Sequence, residues 1–256
     1  MTAFQRLPRR LRAAGLHLLL SAVVATAAAF VVFVVWYPPP FSAIAGGLGL
    51  FTLLVSVDVV LGPALTAVAA SPGKPLRELR RDLALIVAIQ FAGFAYGMYT
   101  IALARPVSLS FEVDSFRVEA AVDIDTASLA EAPEGLRTLS WTGPRIMAAV
   151  KPTDSAERLR AVDLGLAGIG LSALPKFWRD YASQREEVWK AAKPLKALLT
   201  KYPQASGPAG EIALHSGHAI DDLRFLPLVS RQASWSVVVS APDASVIGYL
   251  PFDGYF

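Results

Sequence analysis

The side chains able to do chemistry are few, and most stand alone. There are three histidines: His17, His215 and His218. His215 and His218 form an H-x-x-H pair with Asp221 and Asp222 close behind, the donor types that zinc takes. Zinc sites use three or four well-placed ligands, and with the others missing the pair reads as exposed loop histidines. Gly165, Gly168 and Gly170 are spaced loosely like a dinucleotide loop, but their order is wrong and no strand leads in. They read instead as a bend between helices. No H-E-x-x-H, G-x-S-x-G, P-loop or Rossmann fingerprint occurs, and no serine has a histidine and aspartate in supporting motif context. The chain has no cysteine, which excludes thiol catalysis, disulfide exchange and cysteine-ligated metals. The expectation is a protein that is not an enzyme, with no cofactor and no metal.

Asp58 is the residue whose position alone demands an account. It is the single charged side chain between Phe41 and Ala70. A carboxylate in the middle of an apolar span costs roughly 2.5–3.5 kcal/mol, so such a group faces protein, water or a partner. Proton transfer, intramembrane proteolysis, docking of another helix and a plain hydrogen bond inside the bundle all fit an acid there. Proteolysis of that kind needs a second aspartate, which the other spans lack. A transport pathway wants more polar groups than Asp58, Gln90, Tyr96 and Tyr99. Helix docking and an internal tie, for example to Gln90, are the two readings left in front. Gly62-Pro63 interrupts the same helix four residues on, where the missing N–H leaves carbonyls for neighbours to satisfy. Gly93 and Gly97 form a G-x-x-x-G face on which a second helix can approach closely. The candidate packing and partner residues are therefore Asp58, Gly62, Pro63, Gln90, Gly93 and Gly97.

Those residues lie in three long apolar stretches. Gly15 to Trp36 and Leu83 to Ala104 each run 22 residues without Asp, Glu, Lys or Arg. About 20 apolar residues cross the hydrocarbon of a bilayer, so spans are expected at about 15–36, 47–70 and 83–104. Arg6, Arg9, Arg10 and Arg12 precede the first span, and Lys74, Arg77, Arg80 and Arg81 separate the second from the third. The connection Tyr37-Pro38-Pro39-Pro40 is uncharged. Arginines and lysines near span ends stay in the cytoplasm, which puts the amino terminus and the 71–82 loop inside and everything after Ala104 outside. Ala25 to Ala29 resembles a signal-cleavage site, but the apolar run continues through Val35 to an aromatic anchor at Trp36-Tyr37. A retained span is the better reading.

Residues 1–104 carry a net charge of +5 and residues 105–256 a net of −2, so the basic pI near 9.2 belongs to the first part. The second part lacks the basic stripe a nucleic acid needs. Its 152 residues suffice for one domain with its own core. Two-residue alternation predicts paired strands over 107–113 and 116–124, and, less sharply, strands over 136–141 and 145–150 joined by Thr142-Gly143-Pro144. Thr153 or Asp154 caps a helix running to about Gly165. Residues 174–199 read as mostly helical, ended or kinked at Pro194, and 203–210 as turns. Strands follow over 223–229, 234–239 and 246–250. The fold class is thus a membrane protein with three transmembrane α-helices (membrane domain 1–104) followed by a soluble α+β domain (105–256).

Trp36-Tyr37-Pro38, Val57-Asp58-Val59-Val60-Leu61-Gly62-Pro63-Ala64-Leu65-Thr66, Arg81-Asp82-Leu83-Ala84, Gln90, Tyr96-Gly97, Arg105-Pro106-Val107 and Leu226-Pro227-Leu228 stand in an order that resembles the TfpX/TfpZ family of type IV pilin accessory proteins. The resemblance spans nearly the whole chain and is weakest over 125–220. It implies a non-enzymatic chaperone or assembly factor of the bacterial inner membrane with a periplasmic domain, supporting pilin stability, pilus assembly and twitching motility. The partners implied are the major pilin, through membrane and periplasmic contacts, and the lipid bilayer. Oligomeric state is left open. The competing class is a membrane-anchored sensor with a ligand-binding outer domain, against which the short cytoplasmic segments count; an envelope enzyme with an unrecognised site is third.

Overall fold

The computed structural model describes residues 8–71 and 73–256, with Arg9 as backbone only; Arg6 and Pro72 lie outside the described residues. The chain divides into two compact units, one of residues 1–39 and 47–103, the other of residues 40–46 and 104–256.

The first unit is helical. α1 (Arg9–Phe30) continues through a wider π turn, Val31–Trp36. A four-residue helix α2 (Phe41–Ile44) belongs to the second unit. Then α3 (Gly47–Ser56), a π turn (Val57–Leu61) and α4 (Gly62–Ala69) form one continuous helix, and α5 runs from Leu76 to Leu103. Among the described residues, three helices are long and apolar enough to cross a membrane: Arg10–Trp36, Gly47–Ala69 and Leu76–Leu103. The last begins seven residues before the apolar stretch itself. Arg77, Arg80 and Arg81 therefore stand on helix, not on loop, with Lys74 paired to Asp82 at its start. The break expected at Gly62-Pro63 takes the form of the π turn just before it. Proline has no N–H for the carbonyl four residues back, and widening the turn relieves that clash. Tyr37 closes the far end of the bundle, its hydroxyl donating to the Ile101 carbonyl at 3.0 Å. A side chain on Gly47 would meet the Tyr37 ring at 2.6 Å.

The second unit is a mixed sheet with helices. β1 (Pro106–Glu112) and β2 (Ser115–Ala120) form the expected antiparallel hairpin. β2 ends earlier than its alternation implied, because the Asp123 carboxylate accepts the Ala120 N–H and turns the chain into a short 3-10 helix. β3 (Arg145–Ala149) forms, but it pairs parallel with β1 and has no hairpin partner at 136–141. There Leu136 packs into a core with Val107, Met147 and Trp178, while the Arg105 guanidinium stacks on Trp141 at 3.8 Å. α6 (Ser155–Leu166) starts on the expected cap, with the Glu157 N–H donating to Asp154 at 2.9 Å.

The helix expected over 174–199 is broken. β4 (Trp178–Asp180) extends the sheet at β3, α7 (Arg185–Ala191) follows, β5 (Lys193–Pro194) touches the next strand, and α8 spans Leu195–Lys201. Pairing along the sheet outweighs helix propensity in this stretch. The supposed turn at 203–210 leads instead into α9 (Ser206–Ser216). Pro208 sits in its first turn, where backbone N–H groups have no partner in any case. β6 (Leu223–Val229), β7 (Ser234–Ser240) and β8 (Ser245–Leu250) close the chain as expected. The strand order is β4-β3-β1-β2-β6-β7-β8, with β5 also on β6.

β6 and β7 read as near-continuous apolar runs because both faces are covered. Leu226, Leu228, Val237 and Val239 face Val188 of α7, whereas Leu223, Phe225 and Val238 face Leu195, Leu198 and Ala209 of α8 and α9. Residues 40–46 belong to the first of these cores. Phe41 packs edge-on against Tyr249 with ring centroids 5.3 Å apart, Ile44 is fully buried, and the Ser230 hydroxyl donates to the Ile44 carbonyl at 2.7 Å.

Candidate functional site

Within the helical unit, polar side chains gather along the two turns of helix from Asp58 to Thr66. The helix Gly47–Ala69 carries Asp58 at its middle residue, inside the π turn. α5 brings Gln90 and α1 brings His17 to the same place. His17 Nδ1 lies 2.6 Å from the Thr66 hydroxyl, and Thr66 is buried. Gly62 makes the approach possible: a Cβ there would lie 2.3 Å from Gln90 Nε2 and 2.9 Å from His17 Nε2. A cleft of about 140 Å3 opens beside this group, with His17, Ser21, Asp58 and Gln90 as its polar lining and Val87, Phe91 and Phe94 among its apolar walls. Gln90 Oε1 is buried with no hydrogen-bond partner, and Asp58 accepts no hydrogen bond from a described residue.

Of the sequence candidates, Asp58, Gly62 and Gln90 come together. Pro63 stands beside them as the second residue of α4. Gly97 is a separate close approach, where a Cβ would meet Leu54 Cδ1 at 2.5 Å, and Gly93 faces open space. Sequence reasoning passed over His17 and Thr66 as members of the group. Their signal was available: in adjacent antiparallel helices, two polar residues at similar distances from the same-side ends lie at the same height.

The sheet unit holds a second polar arrangement. Glu112 and Glu119 lie on the hairpin, and the 3-10 segment Leu171–Ala173 docks on them. Glu112 accepts the N–H groups of Leu171 (3.0 Å) and Ser172 (3.2 Å). The Ser172 hydroxyl lies 3.0 Å from Glu112 Oε2 and 2.5 Å from Glu119 Oε1. One hydroxyl proton serves one of these oxygens, so the bridge is complete only when a carboxyl carries a proton. Burial pushes Glu119 up to about 7, against the pull of the Ser172 hydroxyl and Arg117, which makes it the group that holds that proton. A polar cavity of about 410 Å3 lies alongside, lined by Arg117, Glu119, Gly170 and the Asp123–Arg231 ion pair.

The histidine pair is elsewhere. His215 ends α9 with Nδ1 at 2.7 Å from the Glu211 carbonyl, and His218 Nδ1 lies 2.9 Å from the Ser216 carbonyl. Among the described residues no three His, Asp or Glu side chains converge as a metal site.

Three long apolar helices that bring a group of polar side chains together, followed by a mixed sheet-and-helix domain, define the class of protein among the described residues. A sequence profile described as "Fimbrial assembly protein FimB" matches residues 5–46. The chain is 38% identical over 227 residues to the fimbrial assembly protein of serogroup E1 from Dichelobacter nodosus, covering 88% of both chains. It is 37% identical over the same length to the serogroup I protein. A third relative, of serogroups C1 and C2, is 46% identical over 118 residues, which are 46% of this chain and 90% of that one. The chain therefore belongs to the fimbrial assembly protein family. No solved structure matches it.

Proposed function

We propose that this protein is a non-enzymatic accessory factor of the bacterial inner membrane that supports type IV pilin before and during pilus assembly, of the kind named TfpX/TfpZ. The observation that carries this reading is the near full-length identity to fimbrial assembly proteins. The three helices supply an anchor of bilayer length. A subunit awaiting assembly in the same membrane would meet both the helices and the outer domain, and two weak linked contacts raise effective concentration without either being tight. The amino terminus and the basic first turns of α5 lie in the cytoplasm in this reading, and the sheet unit lies in the periplasm.

Deleting the gene and restoring it on a plasmid tests the proposal. Loss of sheared surface pili and of twitching, with both restored by the plasmid, is the expected result; unchanged pili in the deletion strain overturn it. The non-enzymatic part has its own check. His215→Ala combined with His218→Ala leaves piliation near normal at normal protein levels, and a piliation defect in that variant counts against it.

A further inference from the structure

The cleft beside Asp58 has walls and a floor of different chemistry. Leu20, Val24, Phe91 and Phe94 make it apolar, yet Asp58 offers a carboxylate and Gln90 a buried carbonyl oxygen, and neither accepts a hydrogen bond from a described residue. His17 and Ser21 also line the cleft; His17 spends Nδ1 on Thr66, and neither side chain hydrogen-bonds Asp58 or Gln90. Asp58 stands 11 residues from either end of the helix Gly47–Ala69, about 16 Å at 1.5 Å per residue. If that helix spans the bilayer, lipid headgroups and bulk water lie too far away to satisfy these acceptors, and leaving them bare costs free energy. An N–H donor carried to mid-bilayer depth on another apolar helix satisfies both.

We propose that this cleft seats an apolar helix of a partner protein that presents an N–H donor, as an ammonium, guanidinium or amide group, to Asp58 and Gln90. The inference rests on the membrane-spanning reading above and names the contact within it. Gly62 serves the site by keeping Gln90 and His17 close to the helix backbone, and the π turn at Val57–Leu61 places Asp58. Such turns inside helices recur where side chains are set for function.

The test uses the full-length protein in membranes of piliated cells, with a photo-crosslinking amino acid at Phe91, which lines the cleft, or at Val68, which does not and is equally exposed. The expected crosslink at Phe91 maps by mass spectrometry to an apolar segment of another protein, next to a Lys, Arg, His, Asn, Gln or amino-terminal nitrogen, and is absent at Val68. Asp58→Leu lowers its yield roughly fivefold at equal membrane abundance, as for loss of one interhelical hydrogen bond of about 1 kcal/mol. Val24→Trp, which fills the cleft and leaves the acceptors alone, lowers it as well and decides the matter if Asp58→Leu does not accumulate. Crosslinks to lipid alone, to a second copy of this chain or to a segment without a donor overturn the proposal, as does a yield indifferent to both variants. Lost piliation on deletion combined with such a result removes only this inference; intact piliation removes the functional reading beneath it.

Discussion

Glu119 sits where a carboxylate has to choose between a proton and an unfavourable charge. Its folded-state value of about 7 lies above its ordinary 4.5, so the folded protein binds more protons than the unfolded chain between those two values. Stability then falls as pH rises through that window, by up to about 3 kcal/mol at about 1.4 kcal/mol per unit, and is flat above it. Glu119→Gln keeps a group that can bond Ser172 without a proton to lose. The expected outcome is a thermal midpoint that drops between pH 5 and pH 8 in the native protein and drops less in the variant; parallel profiles rule the account out. A second residue carries backbone strain. Val113, at the tip of the β1–β2 hairpin, has φ of 65°, a region its branched side chain disfavours, and it is exposed. Val113→Asn gains about 1 kcal/mol by removing that cost, read as a raised midpoint in thermal unfolding.

At the scale of elements, what was legible followed local pattern and what was missed followed tertiary pairing. The β1–β2 hairpin, the Asp154 cap and the three last strands announce themselves through alternation and capping chemistry. Trp178 could not: its strand exists because β3 has a free edge beside it, and its ring nitrogen bonds the Ser172 carbonyl at 2.8 Å, facts a helix-favouring composition does not carry. The polar group among the helices was half legible. Asp58, Gly62 and Gln90 stood out as oddities in apolar runs, while His17 needed the pairing of two helices to acquire a neighbour. The segment 40–46 is the sharpest case. Phe41 and Ile44 extend the second apolar stretch, yet they fill the core of the sheet unit. Ile44→Ala should therefore cost the sheet unit about 3 kcal/mol, within the usual range for a buried aliphatic truncation. Trp189 and Trp235 pack against that core and report its unfolding by fluorescence. Leu48→Ala, an exposed side chain four residues on, is the control expected to leave the transition in place.

For the whole molecule, the packing of residues 40–46 constrains how the chain threads a bilayer. These residues precede the helix Gly47–Ala69, and residues 104–256 follow the helix Leu76–Leu103, yet both belong to one core. They must lie on the same side of any membrane, so the two helices between them make an even number of crossings: both span it or neither does. Their length and apolar composition favour both. The proposed direction rests on Arg77, Arg80 and Arg81, since arginines beside a span end favour the cytoplasmic side. Alkaline phosphatase, which is active only after export, is expected to be active when fused after Pro39 and after Phe256 and inactive when fused after Arg80. The Pro39 fusion makes the test independent of the later helices, because it reports the first crossing alone. Activity at Arg80 would reverse the orientation, and opposite results at Pro39 and Phe256 would break the even crossing that the shared core demands.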